Sequence, residues 1–100
     1  MINSFSKGCI SELKAESFLR KEFPGIEVDQ TTRFGYQDSK MGVDLIAHKG
    51  EHVVLCAQVK SSVKGAEHFM AHSSFDDRVS IIVCEDGKSP YFFHKGKIAL

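Results

Sequence analysis

Residues 43–60, VDLIAHKGEHVVLCAQVK, contain two apolar runs that are separated by a short polar stretch. The runs Val43–Ala47 and Val53–Val59 have the length and the β-branched composition of strands, and Lys49-Gly50 between them predicts a turn. The two runs are therefore predicted to form a hairpin, which makes them neighbours in a sheet. The rest of the chain is interpreted outward from this pair.

The two predicted strands each present polar groups at one point. Asp44 interrupts the first strand, while Gln58 and Lys60 lie at the end of the second. Because a charged residue inside a buried run is costly unless something pairs with it, these residues indicate a built site. Side chains alternate along a strand, so Gln58 and Lys60 face the same way, about 7 Å apart.

The residue types at this point suit a metal ion. A carboxylate from Asp44, an amide oxygen from Gln58 and the Val59 backbone carbonyl are hard oxygen ligands of the kind that Mg²⁺ or Mn²⁺ prefers. Lys60 beside them could orient a water molecule or stabilise charge on a phosphate oxygen. These parts suit metal-assisted phosphodiester hydrolysis. The alternative is a structural ion pair between Asp44 and Lys60, which would add little net stability because desolvation offsets the attraction.

The remaining segments predict helices and further strands around the hairpin. Pro24-Gly25 ends the first helix, and Asp86-Gly87 forms a turn between the last two strands. In chain order we predict a helix at residues 8–23 and a strand at 26–28. Residues 34–36 either continue this strand or begin another, and residues 37–41 form a loop. After the hairpin we predict a short helix at 66–72 and strands at 79–84 and 91–93. This order predicts a single domain over residues 1–100, with a mixed sheet covered by at least one helix, in the α/β (α+β) class.

The first helix carries acidic residues on its apolar side. At about 100° per residue, Leu13, Leu19 and Phe23 are predicted to share one face, and Glu12 and Glu16 project within the same arc. Two interpretations are open at this stage. Either the glutamates reach water at the edge of that face, or one of them points inward toward the polar ends of the strands.

Composition and charge exclude several classes of protein. Thirteen basic and thirteen acidic side chains cancel, so overall charge does not indicate a polyanionic partner, although a local basic patch is compatible with it. No apolar stretch approaches the roughly 20 residues that cross a bilayer, and the N-terminus lacks the pattern of a signal peptide. Cys9, Cys56 and Cys84 are odd in number without CxxC spacing, which argues against a disulfide framework. We therefore expect a cytoplasmic protein without a membrane partner.

Three other patterns have simpler structural interpretations. His68 and His72 are four residues apart, as metal-binding pairs are, but no third ligand is evident nearby, so an exposed helix is favoured. Asp76-Asp77 is more typical of a solvated turn than of a cation site. The aromatic residues Tyr91–Phe93 could stack on bases, but alternation in a strand sends at least one of them into the core.

Three segments carry a combined motif: KGCISELKA at residues 7–15, GVDLIA at 42–47 and AQVKSS at 57–62. Together they resemble the motifs of the PD-(D/E)xK nuclease superfamily, which includes restriction endonucleases, archaeal Holliday junction resolvases and some group I intron homing endonucleases. The resemblance implies a restriction-endonuclease-like mixed sheet flanked by helices with an αβββαβ-type core. It also implies Mg²⁺ dependence, DNA as the substrate and often a homodimer.

The resemblance implies a role for each matching residue. Asp44 takes the position of the metal-binding aspartate, Lys60 that of the catalytic lysine, and Glu12 that of the first-helix glutamate that serves as a further metal or water ligand. Glu16 fits this last role less well, because the KGxxxE pattern selects Glu12. Gln58 stands where the family usually has an acid, so it supplies less charge to a metal.

Two hypotheses on function follow from these residues. The first is a metal-dependent nuclease that hydrolyses DNA, as a homodimer or with a partner subunit, with Lys7, Lys14 and Lys64 as candidate phosphate contacts. The second is a catalytically silent nuclease-like module that binds a protein or a nucleic acid, which Gln58 and the neutral overall charge favour. The three lysines are also compatible with ordinary solvated positions. The sequence leaves open whether the substrate is a junction, a specific site, damaged DNA or RNA.

Overall fold

The chain forms a five-stranded mixed sheet with two helices, as a computed structural model shows for residues 4–30, 43–72 and 74–100, with side chains described from residue 10 onward. In chain order the elements are α1 (Ser4–Glu22), β1 (Glu27–Gln30), β2 (Leu45–Lys49), β3 (His52–Lys60), α2 (Val63–Ala71), β4 (Ser80–Val83) and β5 (Tyr91–His94). The predicted mixed α/β class is confirmed. The strand and loop predicted at 34–36 and 37–41 lie outside the described residues. Neither described helix has the length and apolarity that a bilayer span requires.

The strands follow one another across the sheet in chain order. Strands β1, β2 and β3 form an antiparallel meander, β4 is parallel to β3, and β5 is antiparallel to β4. The predicted hairpin is confirmed, with Leu45 opposite Ala57 and Gly50 at the turn in the left-handed conformation (φ 58°). A parallel pair needs a crossover connection, and α2 lies within the one between β3 and β4.

Each face of the sheet carries its own hydrophobic cluster. Side chains alternate along β4, so Ile82 belongs to one cluster while Ile81 belongs to the other. Ile82 shares its cluster with Leu19 of α1, and Ile81 shares its cluster with Ala66 of α2. The two helices therefore cover opposite faces of the sheet.

The aromatic residues of β5 are divided between the same two clusters. Phe92 meets Phe18 of α1 edge-on, with ring centroids 5.2 Å apart, and Phe93 packs against the cluster under α2. Tyr91 is 36% exposed. The prediction that part of the aromatic strip Tyr91–Phe93 packs in the core is confirmed. A continuous surface on β5 for stacking on bases is therefore an unsatisfactory interpretation.

The buried face of α1 differs from the predicted one at Leu13. Ala15 and Leu19 are fully buried, whereas Leu13 is 54% exposed. Leu13 lies six residues before Leu19 and is therefore about 120° away around the helix axis. The prediction that the two leucines share one face was wrong for this geometric reason.

The C-terminal segment crosses the starts of β3 and β4 at close range. The Lys97 N–H donates to the Arg78 carbonyl at 2.9 Å, and the Ala99 N–H donates to the Val54 carbonyl at 2.8 Å. A Cβ atom at Gly96 would lie 2.2 Å from the Arg78 carbonyl oxygen. Glycine is therefore required where the two backbones pass each other.

His48 in β2 lies between two hydrogen-bond acceptors. Its Nε2 is 2.7 Å from Asp29 Oδ2 in β1, and its Nδ1 is 2.9 Å from the Gly50 carbonyl oxygen. Carboxylate and carbonyl oxygens only accept hydrogen bonds, so both ring nitrogens must carry a proton to make both contacts. The hydrogen bond to Asp29, followed by the one to Gly50, raises the pKa of His48 above its ordinary value. The imidazolium thus links β1, β2 and the hairpin turn.

The stability that His48 contributes is expected to depend on pH. Because its pKa is raised in the folded protein, the contribution is complete below the unfolded value of about 6.5 and is lost as the pH rises through the folded value. In urea titrations, His48→Gln should lower the free energy of unfolding more at about pH 5.5 than at about pH 9. The control His68→Gln, on the exposed side of α2, should change it by less than about 0.5 kcal/mol at both pH values. An equal loss at both pH values in His48→Gln would contradict the imidazolium link.

Candidate functional site

Asp44 lies beside the end of β3. Its backbone N–H donates to the Ala57 carbonyl at 2.9 Å, which continues the pairing of β2 with β3 by one residue. Its side-chain Oδ2 accepts a hydrogen bond from the Val59 N–H at 3.0 Å. The carboxylate is therefore held next to the segment Gln58–Lys60. The structure therefore places Asp44 next to Gln58 and Lys60 in the chain of the neighbouring strand, as the predicted hairpin requires.

Gln58 and Lys60 face the side of the sheet that α2 covers. In the parallel pair, Gln58 lies beside Ile81 and Lys60 lies beside Val83, and both partners belong to the cluster under α2. Gln58 and Lys60 are partly buried. The predicted alternation, with both polar residues on one face, is therefore consistent with the observed register.

The amide oxygen of Gln58 is the least satisfied atom at this site. Gln58 Oε1 is buried and has no hydrogen-bond partner among the residues that the structure describes. A buried acceptor without a donor costs about 1–3 kcal/mol. Gln58 precedes Val59, whose N–H binds the Asp44 carboxylate, and a cation, or a water molecule that a cation holds, would satisfy the Gln58 oxygen.

The ammonium group of Lys60 lies over an aromatic ring of α2. Its Nζ is 4.8 Å from the centroid of the Phe69 ring, and Phe69 meets Phe75 edge-on with centroids 5.6 Å apart. The cation–π contact draws the lysine toward a ring that is itself held in place. The Asp44 side chain is thus held by the Val59 N–H, and the Lys60 side chain is held by the Phe69 ring.

The two glutamates of α1 occupy different environments. Glu16 is 3% exposed, its Oε2 accepts a hydrogen bond from Gln30 Nε2, and its Oε1 lies 3.3 Å from Arg20 Nη2. Glu12, one turn earlier, is partly buried. One glutamate does point inward, but the more deeply buried residue is Glu16 rather than Glu12. The partner Gln30 was not predicted from the sequence, where the only signal was a polar residue soon after an apolar strand.

The turn of α1 that carries Glu12 approaches the same end of the sheet. The Cys84 thiol donates to the Ser11 carbonyl at 3.4 Å, and the Cys84 N–H donates to the Lys60 carbonyl at 2.8 Å. Ser11, the residue before Glu12, therefore contacts Cys84, and the backbone of Cys84 is hydrogen-bonded to Lys60. Because α1 covers the opposite face from Gln58 and Lys60, Glu12 would meet them around the end of the strands rather than across a shared face.

The donor set is poor in charge. Across the described ranges, no three side chains of His, Cys, Asp or Glu cluster closely enough to hold a metal ion. The predicted ligands are two carboxylates, from Glu12 and Asp44, with the Gln58 amide and the Val59 carbonyl. Such a set of hard oxygens with few charges suits Mg²⁺, which keeps several of its own waters.

The candidate phosphate contacts lie on the two helices. Lys14 is exposed on α1 and Lys64 is exposed in the first turn of α2, which begins at the N-cap Ser62. The side chain of Lys7 lies outside the described residues. Lys64 follows Lys60 by four residues and is thus the closer of the two to the site along the chain.

The weaker candidates have structural partners. Asp76 accepts two hydrogen bonds from the Arg78 guanidinium, at 3.0 and 2.8 Å, and this pairing lowers the pKa of Asp76 to about 2. His68 is exposed, and Nδ1 of His72 lies 2.8 Å from Ser74 Oγ. These contacts account for Asp76 and His72 without a metal ion.

Comparison of the chain with protein-family models, with curated proteins and with solved structures found no match in any of the three. What the protein does is therefore inferred from the geometry of its own residues.

The different burial of the two glutamates predicts different costs of removal. Glu16→Ala should lower the free energy of unfolding by about 2 kcal/mol, because it leaves the buried Gln30 amide without its acceptor. Glu12→Ala, one turn away on the same helix, should cost less than about 1 kcal/mol because the residue is partly exposed. Urea titration followed by circular dichroism measures both values. If Glu12→Ala proved as costly as Glu16→Ala, Glu12 would be a structural residue rather than a metal ligand.

Proposed function

We propose that the protein is a metal-dependent nuclease of the PD-(D/E)xK type that hydrolyses phosphodiester bonds in DNA. The observation that carries this proposal is the buried Oε1 of Gln58, which has no hydrogen-bond partner among the described residues and belongs to the residue before Val59, whose N–H binds the Asp44 carboxylate. The topology supports it: the order α-β-β-β-α-β, with an antiparallel meander followed by a parallel strand, fits the αβββαβ core that the resemblance implies.

Four groups would hold the metal ion, Mg²⁺ or Mn²⁺. They are the carboxylates of Glu12 and Asp44, the amide oxygen of Gln58 and the carbonyl of Val59. When bound, the cation would polarise the phosphate and make a water molecule a better nucleophile at neutral pH. The neutral Gln58 contributes no charge, so we expect weaker metal binding than a third carboxylate would give.

The chain's own residues would act on the reacting groups at this point. The water oxygen bonds to phosphorus while the ester bond to the sugar oxygen breaks, and the departing sugar oxygen takes a proton from solvent water, which leaves a phosphate monoester and a hydroxyl group. Lys60, with its ammonium group beside Phe69, would stabilise the negative charge that develops on the phosphate oxygens. Asp44, fixed by the Val59 N–H, would orient the attacking water and accept its proton.

A chain of 100 residues offers limited surface to a duplex, so we propose that it acts as a homodimer or with a partner subunit. A two-fold pair would present two such sites, one to each strand of a duplex. The size of the chain and the resemblance to a family that is often dimeric support this part of the proposal.

Gln58 also favours a second function, a silent nuclease-like module that binds a protein or a nucleic acid. An amide holds a cation less tightly than a carboxylate, so a site that has lost its acid is a candidate for lost activity. Titration with Mn²⁺ separates the two functions. A nuclease should bind Mn²⁺ in a manner that weakens in Asp44→Asn, whereas the binding module need not respond to metal.

Removal of the central acid or the lysine is predicted to abolish cleavage. Asp44→Asn keeps an acceptor for the Val59 N–H, and Lys60→Met keeps an unbranched side chain over Phe69, so both should fold. We expect each to lower the rate of Mg²⁺-dependent cleavage of single-stranded, branched and duplex DNA at least about 100-fold. Lys49→Gln, at the far end of the hairpin, is the control and should cleave normally. Cleavage at the normal rate by either site variant would exclude the mechanism.

Restoring an acid at position 58 should strengthen metal binding. Gln58→Glu adds a charged oxygen ligand beside Asp44, and we expect it to tighten Mn²⁺ binding by about tenfold or more in calorimetric titration. In EDTA the same variant should lose stability, since two neighbouring carboxylates repel each other. The gain in affinity should disappear when Asp44→Asn is added. Unchanged Mn²⁺ affinity in Gln58→Glu would show that residue 58 does not contact the metal.

A further inference from the structure

A groove runs between α1 and the turn that joins β4 to β5. Its volume is about 460 Å³. Five of its lining residues come from α1 and two from the turn: Lys14, Ser17, Phe18, Lys21, Glu22, Ser89 and Pro90. Lys14 is one of the candidate phosphate contacts named above, and the other six residues have no part in the proposed metal site.

One side of the groove is basic. Lys14 and Lys21 are both exposed and lie seven residues apart, so they share a face of α1 at a separation of about 10.5 Å along its axis. Ser17 lies between them on the helix, and Ser89 lies on the opposite wall. Two ammonium groups and two hydroxyls are donors of the kind that contact phosphate oxygens.

The groove also has an apolar component. Phe18 and Pro90 line it and are partly exposed. Phe18 is held edge-on against Phe92, with centroids 5.2 Å apart, and Lys95 Nζ lies 5.4 Å from the centroid of the Phe92 ring. A positive wall beside an aromatic surface is the combination that binds unpaired nucleic acid, whose bases are exposed.

The basic wall approaches the candidate site at the Lys14 end. Burial raises the pKa of the Cys84 thiol to about 11, and Lys14 lies near enough to Cys84 to oppose that shift. The Cys84 N–H donates to the Lys60 carbonyl at 2.8 Å. Lys14 of the groove therefore lies near Cys84, and Cys84 is hydrogen-bonded to Lys60 at the end of β3.

Acidic residues near the groove limit its positive charge. Glu22 lines the groove beside Lys21, and Glu85, which precedes the turn, lies 3.9 Å from Lys88. Among the seven lining residues the two lysines outnumber the single acid. Removal of the Glu22 charge should therefore strengthen the binding of phosphate groups, whereas removal of a lysine charge should weaken it.

We propose that this groove binds one strand of nucleic acid through its phosphates, so that the substrate carries an unpaired segment beside the bond that is cut. A duplex would offer its phosphates to Lys14 and Lys21 but would hide its base faces from Phe18 and Pro90. Strand binding stands on the groove itself, whereas the position relative to a cut bond rests on the proposed nuclease function.

Strand binding can be measured without cleavage, by fluorescence anisotropy in EDTA. The probe is a labelled single-stranded DNA of about 20 nucleotides, longer than the roughly 16 that one small binding domain covers. In the double variant Lys14→Gln with Lys21→Gln, loss of two phosphate contacts should flatten the slope of log K against log salt by about 1.4. In about 0.1 M salt this corresponds to a roughly 25-fold loss of affinity.

The matched control removes the same charge from the other end of the sheet. Lys49→Gln with Lys97→Gln should keep the affinity and the salt slope of the unmodified protein. Glu22→Gln should strengthen binding, since it removes a like charge from the phosphate path. The duplex of the same sequence should bind more weakly than the single strand to the unmodified protein.

Two outcomes overturn this proposal: equal affinity in the Lys14/Lys21 variant and its control, or equal affinity of the unmodified protein for the duplex and the single strand. Cleavage in Mg²⁺ is a separate measurement. Normal cleavage with unchanged strand binding in the Lys14/Lys21 variant excludes the groove and leaves the nuclease standing. Lysine-dependent strand binding by a protein that never cleaves supports the groove and excludes the nuclease.

Discussion

The pairing of Asp44 with the end of β3 is the constraint on which the candidate site depends. The Asp44 backbone continues the hydrogen-bond ladder between the two strands. Its side chain then accepts the hydrogen bond from the Val59 N–H, in the place of a backbone carbonyl. A carboxylate placed in this way cannot move without breaking the last hydrogen bonds between the two strands. The position of the acid is therefore determined by the same bonds that set the register of the hairpin.

The polar groups around this point approach from both faces of the sheet. Gln58 and Lys60 lie on the α2 side, and Lys60 is held by Phe69. Glu12 belongs to the helix on the other side, and its turn is attached to the sheet through Ser11 and Cys84. A site built in this way would draw its donors from α1, from β3 and from the residue that precedes β2.

Local sequence patterns predicted the elements well, while contacts between distant elements were harder to predict. The hairpin followed from its composition and its glycine turn, and α1 ended close to Pro24-Gly25 as expected. The second helix begins at Val63, earlier than predicted, because the Ser62 hydroxyl caps it by accepting from the Gly65 N–H. The parallel pairing of β3 with β4 depends on packing under α2, which no periodicity in the chain encodes.

The site shows the same division. Asp44, Gln58 and Lys60 were identified from two adjacent strands, where alternation and spacing fix their relation. An inward-pointing glutamate was one of two interpretations, but the sequence did not identify Glu16 as the buried one, because its burial depends on Gln30 in a strand whose position relative to α1 is a tertiary property. The role of Glu12 likewise depends on how the helix is placed, and helical periodicity gives the direction of a side chain but not its distance from the sheet.

The crossing at Gly96 affects how this site should be searched for by mutagenesis. Any side chain there would collide with the backbone at Arg78, so a survey of tolerated substitutions would mark position 96 as strongly as a reacting residue. The crossing lies at the starts of β3 and β4, at the opposite end of the sheet from Asp44. Intolerance in this small domain therefore locates chemistry only where the folded fraction of each variant is measured alongside its activity.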